Sequence, residues 1–256
     1  MARYEDAIAA GRRALRELGI DLPHDDLESC RDREIQRVIM KLSEMSVADL
    51  RRAPLMNDPE KLMAIKVLIT LGPPCYRTHQ RLWSVIVPKV VNIIMTYGLV
   101  PQIGYSHTAF GGLLCWVNND YQTAGEFGAL AEEIMTHTFD SPSDISVFYL
   151  MMGSSTRHWF RHLRYAEEDY SKAFDVGWQS GNLQYAAYAF GHKMYCRFFQ
   201  GIDLSKLIVE TERSLIFSRT RHNQWAIDLL EGGLKVFKAL SCAEGEIDAA
   251  KMEDTV

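Results

Sequence analysis

Apolar residues recur along this chain at intervals of three and four, and strict alternation is nearly absent. Tyr4, Ala7, Ile8, Ala14, Leu15 and Leu18 form one stripe, closed by Gly19 and Pro23, so the spacing predicts a helix over residues 4–18. Ile35, Val38, Ile39, Leu42 and Met45 define the face of a second helix. Asn57-Asp58-Pro59-Glu60 supplies a cap, a first-turn proline and an acid, starting a helix through Leu71 that Gly72-Pro73-Pro74 is expected to end. Further helices are predicted over 80–97, 102–117, 121–138, 145–162, 164–180, 183–199, 204–219 and 223–240. Alternating β-branched runs bounded by Asn-Gly or Asp-Gly turns do not appear, so strands are not expected.

Three stretches fit Tyr-x-x-Ala-x-x-x-Gly: YEDAIAAG from Tyr4, YQTAGEFG from Tyr121 and YSKAFDVG from Tyr170. Small residues on one face let a neighbouring helix approach closely, and the tyrosine fills the gap at the turn. The pattern resembles the second helix of a tetratricopeptide unit, with glycine replacing a large aromatic. The copies are unevenly spaced, unlike a regular array of about 34 residues per unit. Either they are a worn repeat or they coincide among unrelated helices of one domain. The expected fold is all-α: about ten to twelve helices paired as antiparallel hairpins in a tetratricopeptide-like α-solenoid over residues 3–240. Residues 241–256 are small, acidic and poorly apolar, and are expected to fray.

Composition changes this picture little. The chain has 256 residues, 47% of them hydrophobic and 24% charged, and its net charge of −5 argues against nucleic acid as a partner. Cys30, Cys75, Cys115, Cys196 and Cys242 are scattered without a C-x-x-C pair, which fits a reducing, cytoplasmic setting. The N-terminus lacks a secretory signal. Residues 82–100 approach the length of a membrane span, but Pro88, Lys89, Asn92 and Gly98 would be costly in lipid, so a buried helix is expected instead.

A family resemblance rests on several phrases: AAGRRALRELGIDLP from Ala9, the Leu55-Met56-Asn57-Asp58-Pro59 turn, the helix from Val90 ending in Tyr97-Gly98, the stretch from Tyr105 to Gly128, and Ser180-Gly181-Asn182-Leu183 before Tyr185-Ala186. Together they resemble the tetratricopeptide-like region of very large bacterial and fungal signalling proteins. Those proteins place a serine/threonine kinase-like domain and a signal-transduction AAA-type ATPase before this region, and a GAF sensor and histidine kinase after it. No phosphate-binding G-x-x-x-x-G-K-[ST] loop, kinase catalytic loop or phosphoacceptor box occurs. What the resemblance implies is therefore a non-catalytic scaffold or regulatory region that mediates inter-domain or protein–protein contacts. A free-standing peptide-binding adapter is the alternative, and an unrecognised enzyme a third reading. The first helix lacks a preceding partner, so a longer parent is expected.

No catalytic, cofactor or metal residues stand out. His158 and His162 have the spacing of a zinc pair on one helical face, but the glutamate of H-E-x-x-H is missing and no third ligand is evident. The repeat register places Ser155, His158, His162 and Tyr165 on a groove, with Ser106, Ala109, Leu113 and Trp116 at matching positions. Such a groove suits a peptide or another domain. For Trp116, a core position is the competing reading. Arg157, Arg161 and Arg164, with Arg219 and Arg221 further on, would meet an acidic partner surface or form a solvated face paired with Glu167, Glu168 and Asp169. The C-terminal Glu253-Asp254-Thr255-Val256 has the form of a ligand for a strand-adding peptide-binding domain.

Overall fold

Caps and stops in the sequence translate directly into helix boundaries. The computed structural model describes residues 3–241. Its elements are α1 (Tyr4–Glu17), α2 (Leu27–Glu44), a 3-10 segment (Val47–Arg52), α3 (Pro59–Thr70), α4 (Gly72–Thr78), α5 (Gln80–Tyr97), α6 (Ile103–Asn118) and α7 (Tyr121–His137). There follow α8 (Pro142–Met151), a π-helical segment (Met152–Arg157), the single turn α9 (His158–Phe160), α10 (Leu163–Ser180), α11 (Leu183–Phe199), α12 (Leu204–Thr220) and α13 (Gln224–Ser241). The described residues are all-α, with one isolated bridge between Leu55 and Leu99. Cys242 and the proposed C-terminal ligand lie outside them.

Asp58 caps α3 by accepting from the backbone N–H groups of Glu60 and Lys61, with Pro59 in the first turn. Helix α1 ends at Gly19, whose positive φ lets Ile20 N–H reach back to Leu15. Gly98 closes α5 at φ +116, where a Cβ would strike the Pro54 carbonyl. That close approach lets Leu99 donate to Pro54, and Met56 to Leu99, tying the end of α5 to the loop before α3.

Two expectations need correction. Gly72-Pro73-Pro74 does not simply end α3; it opens α4, because prolines are accepted in a first turn whose N–H groups have no helical partner. The helix expected over 145–162 starts at Pro142, widens into the π segment and stops at Phe160, since Arg161 is extended. His162 consequently caps α10 and accepts from Arg164 N–H. It does not share a helical face with His158, and the zinc-like spacing has no geometric meaning.

The polar residues within the apolar α5 pair with α2. Glu34, buried, accepts from Lys89 Nζ at 2.7 Å, and its carboxylate and carbonyl both accept from the Asn92 amide. Lys41 donates to Asn92 O and to the Thr96 hydroxyl. Burying charges is tolerable only when each finds such partners. No described helix is long and apolar enough to cross a membrane.

The core divides along the chain into three clusters. The first joins α1 to α8 around Phe110, Phe127 and Phe148; each fully buried side chain of this size contributes roughly 2–3 kcal/mol. The second lies between α8, α10 and α11, and the third between α11, α12 and α13. Small residues set the spacing. A Cβ on Gly111 would come within 3.0 Å of the Ala124 carbonyl, and one on Gly112 within 2.6 Å of the Ser155 carbonyl, so α6 lies close to both α7 and the π segment. Of the three repeat copies, Ala124 and Ala173 are fully buried. Gly128 abuts Thr156, and Gly177 abuts Ser146 and Ala186. Ala7 is exposed, so the first copy does not pack on both sides. Tyr121 opens its helix while Tyr170 lies inside α10, so these tyrosines are not equivalent.

Candidate functional site

A groove runs across α4, α5, α6, α8 with its π extension, α11 and α13, enclosing a cavity of about 780 Å³. Its floor starts on α6, where Tyr105 Oη accepts from Trp83 Nε1 of α5 at 3.0 Å. Tyr76 of α4 meets Trp83 edge-on, with ring centroids 5.2 Å apart. At one end Trp116 projects from the last turn of α6 with 66% of its surface exposed. Opposite it stand His158 and Trp159, placed there by the widened π turn. Widened turns of this kind recur at functional sites. At the other end Trp225 of α13 packs edge-on against Tyr188 of α11 at 4.4 Å, and His192 lies between Trp225 and Tyr170.

Arg77 of α4 stands where these walls meet. Its guanidinium carbon lies 4.6 Å from the Trp225 ring centroid, 5.2 Å from that of Tyr188 and 5.6 Å from that of Tyr4. It also donates to the Tyr4 hydroxyl. Four helices, α1, α4, α11 and α13, thus converge on one cation. A second cavity of about 740 Å³ borders the first, and Arg77, Tyr105, Tyr185 and Tyr188 line both.

Electrostatically the larger cavity holds one fixed charge. Burial pulls His192 down to about 4 and lowers His158 as well, the latter partly offset by its bond to the Gly153 carbonyl, so both imidazoles are neutral near pH 7. Burial pushes the Tyr105 phenol up to about 12. Among its described lining residues Arg77 alone carries a permanent charge. Burial also raises the thiols of Cys75, Cys115 and Cys196, which behave as small apolar fillers. Among the described residues no three His, Cys, Asp or Glu side chains gather as a metal site.

The structure brings together some of the residues singled out from sequence. Trp116, His158, Ser155, Ala109 and Leu113 line the groove. Trp116 is not a core residue. His162 and Tyr165 stand outside the groove, His162 as a cap and Tyr165 beneath the Arg164 guanidinium. Ser106 is buried against His107. Of the two readings for Arg157, a partner contact or internal pairing, the structure shows pairing: it is held by Asp169 at 2.8 Å, one of the acids named from sequence, and by Glu132 at 3.0 Å. Arg161 and Arg164 are exposed. Sequence reading missed Arg77, Tyr188, His192 and Trp225. Arg77 lay in a stretch taken for a helix stop, and the others come from helices remote along the chain. No protein-family model, curated protein or solved structure matches this chain.

Proposed function

We propose that this chain is a non-catalytic helical scaffold of a signal-transduction protein, built as a tetratricopeptide-like array of hairpins, whose groove receives a segment of another protein or domain. The observation that carries this reading is the aromatic groove drawn from α4, α5, α6, α8, α11 and α13. Rigid aromatic side chains that line a shared concave surface are the usual anchors of protein recognition. Support for an array comes from the order of packing. Helix α6 pairs with α7, α10 with both α8 and α11, and α12 with α13, while α6, α8, α11 and α13 follow one another along the groove. The signalling setting rests on the resemblance of the turn phrases, and a cytoplasmic setting suits the free cysteines at Cys30, Cys75, Cys115 and Cys196.

Panning a random dodecapeptide display library on the purified chain tests the reading. Selected peptides should lose binding to a Trp116→Ala/Trp225→Ala double variant whose helical circular dichroism is unchanged. Peptides that bind that variant as well as the parent would place recognition elsewhere and count against the groove.

A further inference from the structure

Half-buried arginines in this protein are otherwise provided for by the chain itself. Arg157 is held by Glu132 and Asp169, and Arg197 by Glu167 and Glu210. Arg12 donates to the carbonyls of Leu22 and Pro23. Arg77 is the exception. It spends one N–H on the Tyr4 hydroxyl, and among the described residues it has no carboxylate or carbonyl acceptor. Aromatic faces stabilise its charge without consuming its other donors. The site is a cation held in place with four of its five N–H donors unspent.

The surroundings favour an anion. The chain carries a net charge of −5, yet Lys66 and Arg77, with Arg3 beyond them already paired to Asp6, line the two adjoining cavities against a single lining acid, Asp144. We propose that the groove binds an acidic, aromatic-rich peptide segment of a partner protein, with one Asp or Glu carboxylate seated on Arg77 and apolar side chains filling the cavities on either side. This rests on the groove being a protein-binding surface, and it names the chemistry that surface selects. A carboxylate fits better than a phosphate because one guanidinium matches one negative charge in a bidentate pair. A phosphate dianion would leave charge uncompensated among tryptophan and tyrosine rings. The two cavities meet at Arg77, so an extended segment would place its acid at the junction.

The test uses two dodecapeptide libraries panned on the full 256-residue chain, one with Asp or Glu fixed between aromatic positions and one with Asn or Gln there instead. Peptides from the first should bind, and changing their acid to the amide should weaken the Kd at least ~10-fold, the worth of a charge-assisted hydrogen bond. Arg77→Lys, which keeps the charge but loses the planar fork, should weaken the acidic peptides while sparing the amide ones. Combining the protein and peptide changes should add little further loss. Thermal melts of the variant establish that it folds. Equal binding of acid and amide peptides, with both abolished by Trp225→Ala, would overturn the carboxylate assignment and leave the groove reading standing. Tighter binding of phosphoserine versions would overturn it too. Binding indifferent to Trp116→Ala and Trp225→Ala, or no binding from either library below about 100 µM, would bring down both readings.

Discussion

His107 shows how much one side chain on α6 constrains the conditions this protein tolerates. It is fully buried, with Nδ1 3.1 Å from the Ser106 hydroxyl, its ring against Phe127, and no partner for Nε2. Burial pulls its pKa from 6.5 down to about 3. In the unfolded chain the imidazole takes a proton near pH 6.5, whereas the folded protein refuses it until about pH 3. The stability this neutral histidine allows is therefore complete above its unfolded pKa and is lost as pH falls through 6.5 towards 3. By pH 5 the loss should reach about 2 kcal/mol. Urea unfolding at pH 7 and pH 5 measures it, and because the contribution of His192, pulled down to about 4, is lost over the same window, His107→Gln should remove only about half of the difference; an unchanged difference in the variant would assign the acid sensitivity to other groups.

At the scale of elements, close approach is set by glycines whose environments differ. A Cβ on Gly128 would fall 2.7 Å from the Thr156 methyl, whereas nothing lies within 4 Å of one on Gly232 in α13. Gly128→Val should therefore destabilise by about 1–3 kcal/mol through overpacking. It should also weaken groove binding, because Thr156 holds the π segment to α6 by donating to Thr108 O and the next residues form the groove wall. Gly232→Ala should stabilise by about 0.5–1 kcal/mol, since only helix propensity changes. Thermal melts of the two variants moving in the same direction would contradict this account of packing. The positions of α1, α3, α5 and α7 were legible in the sequence because Gly19, Asp58-Pro59, Gly98 and Asp120, whose carboxylate caps α7 by accepting from Thr123 N–H, act locally. The π segment was not, because its Ser155 and Thr156 lie against Gly111, Gly112 and Gly128 of other helices, contacts that no local pattern carries. Helix α4 was hidden by prolines that read equally well as a stop or a first turn. Register put Trp116 and His158 on one groove with Ser106, His162 and Tyr165, and only the first two line it, His158 by way of the π segment. The convergence of Tyr4, Arg77, Tyr188 and Trp225 could not be read from register, since no local period links residues so distant along the chain.

Across the whole molecule, the wall of the groove that carries Trp225 belongs to the smaller core clusters. Tyr188 and Trp225 pack with the second, while the body of α13 closes the third around Leu230 and Phe237. The large first cluster reaches only as far as α8 and Met152. Cooperative units with less buried apolar surface open at lower free energy. Backbone amides of α12 and α13 should accordingly exchange with solvent before those of α6 and α7, and a bound segment should slow them selectively. Hydrogen-exchange mass spectrometry with and without a selected peptide reads both effects. Uniform exchange across the chain would show instead that the clusters unfold as one.

The side chains that Glu34 receives from α5, Lys89 and Asn92, also matter before that pairing forms. Without α2 in place, α5 is an 18-residue segment in which Pro88, Lys89 and Asn92 interrupt an otherwise apolar run. A continuous run of that length approaches what partitions into a bilayer, and a central lysine and asparagine oppose that partitioning. The residues that later fix the register of α5 on α2 are thus the same ones that steer the nascent segment away from lipid and towards its own chain.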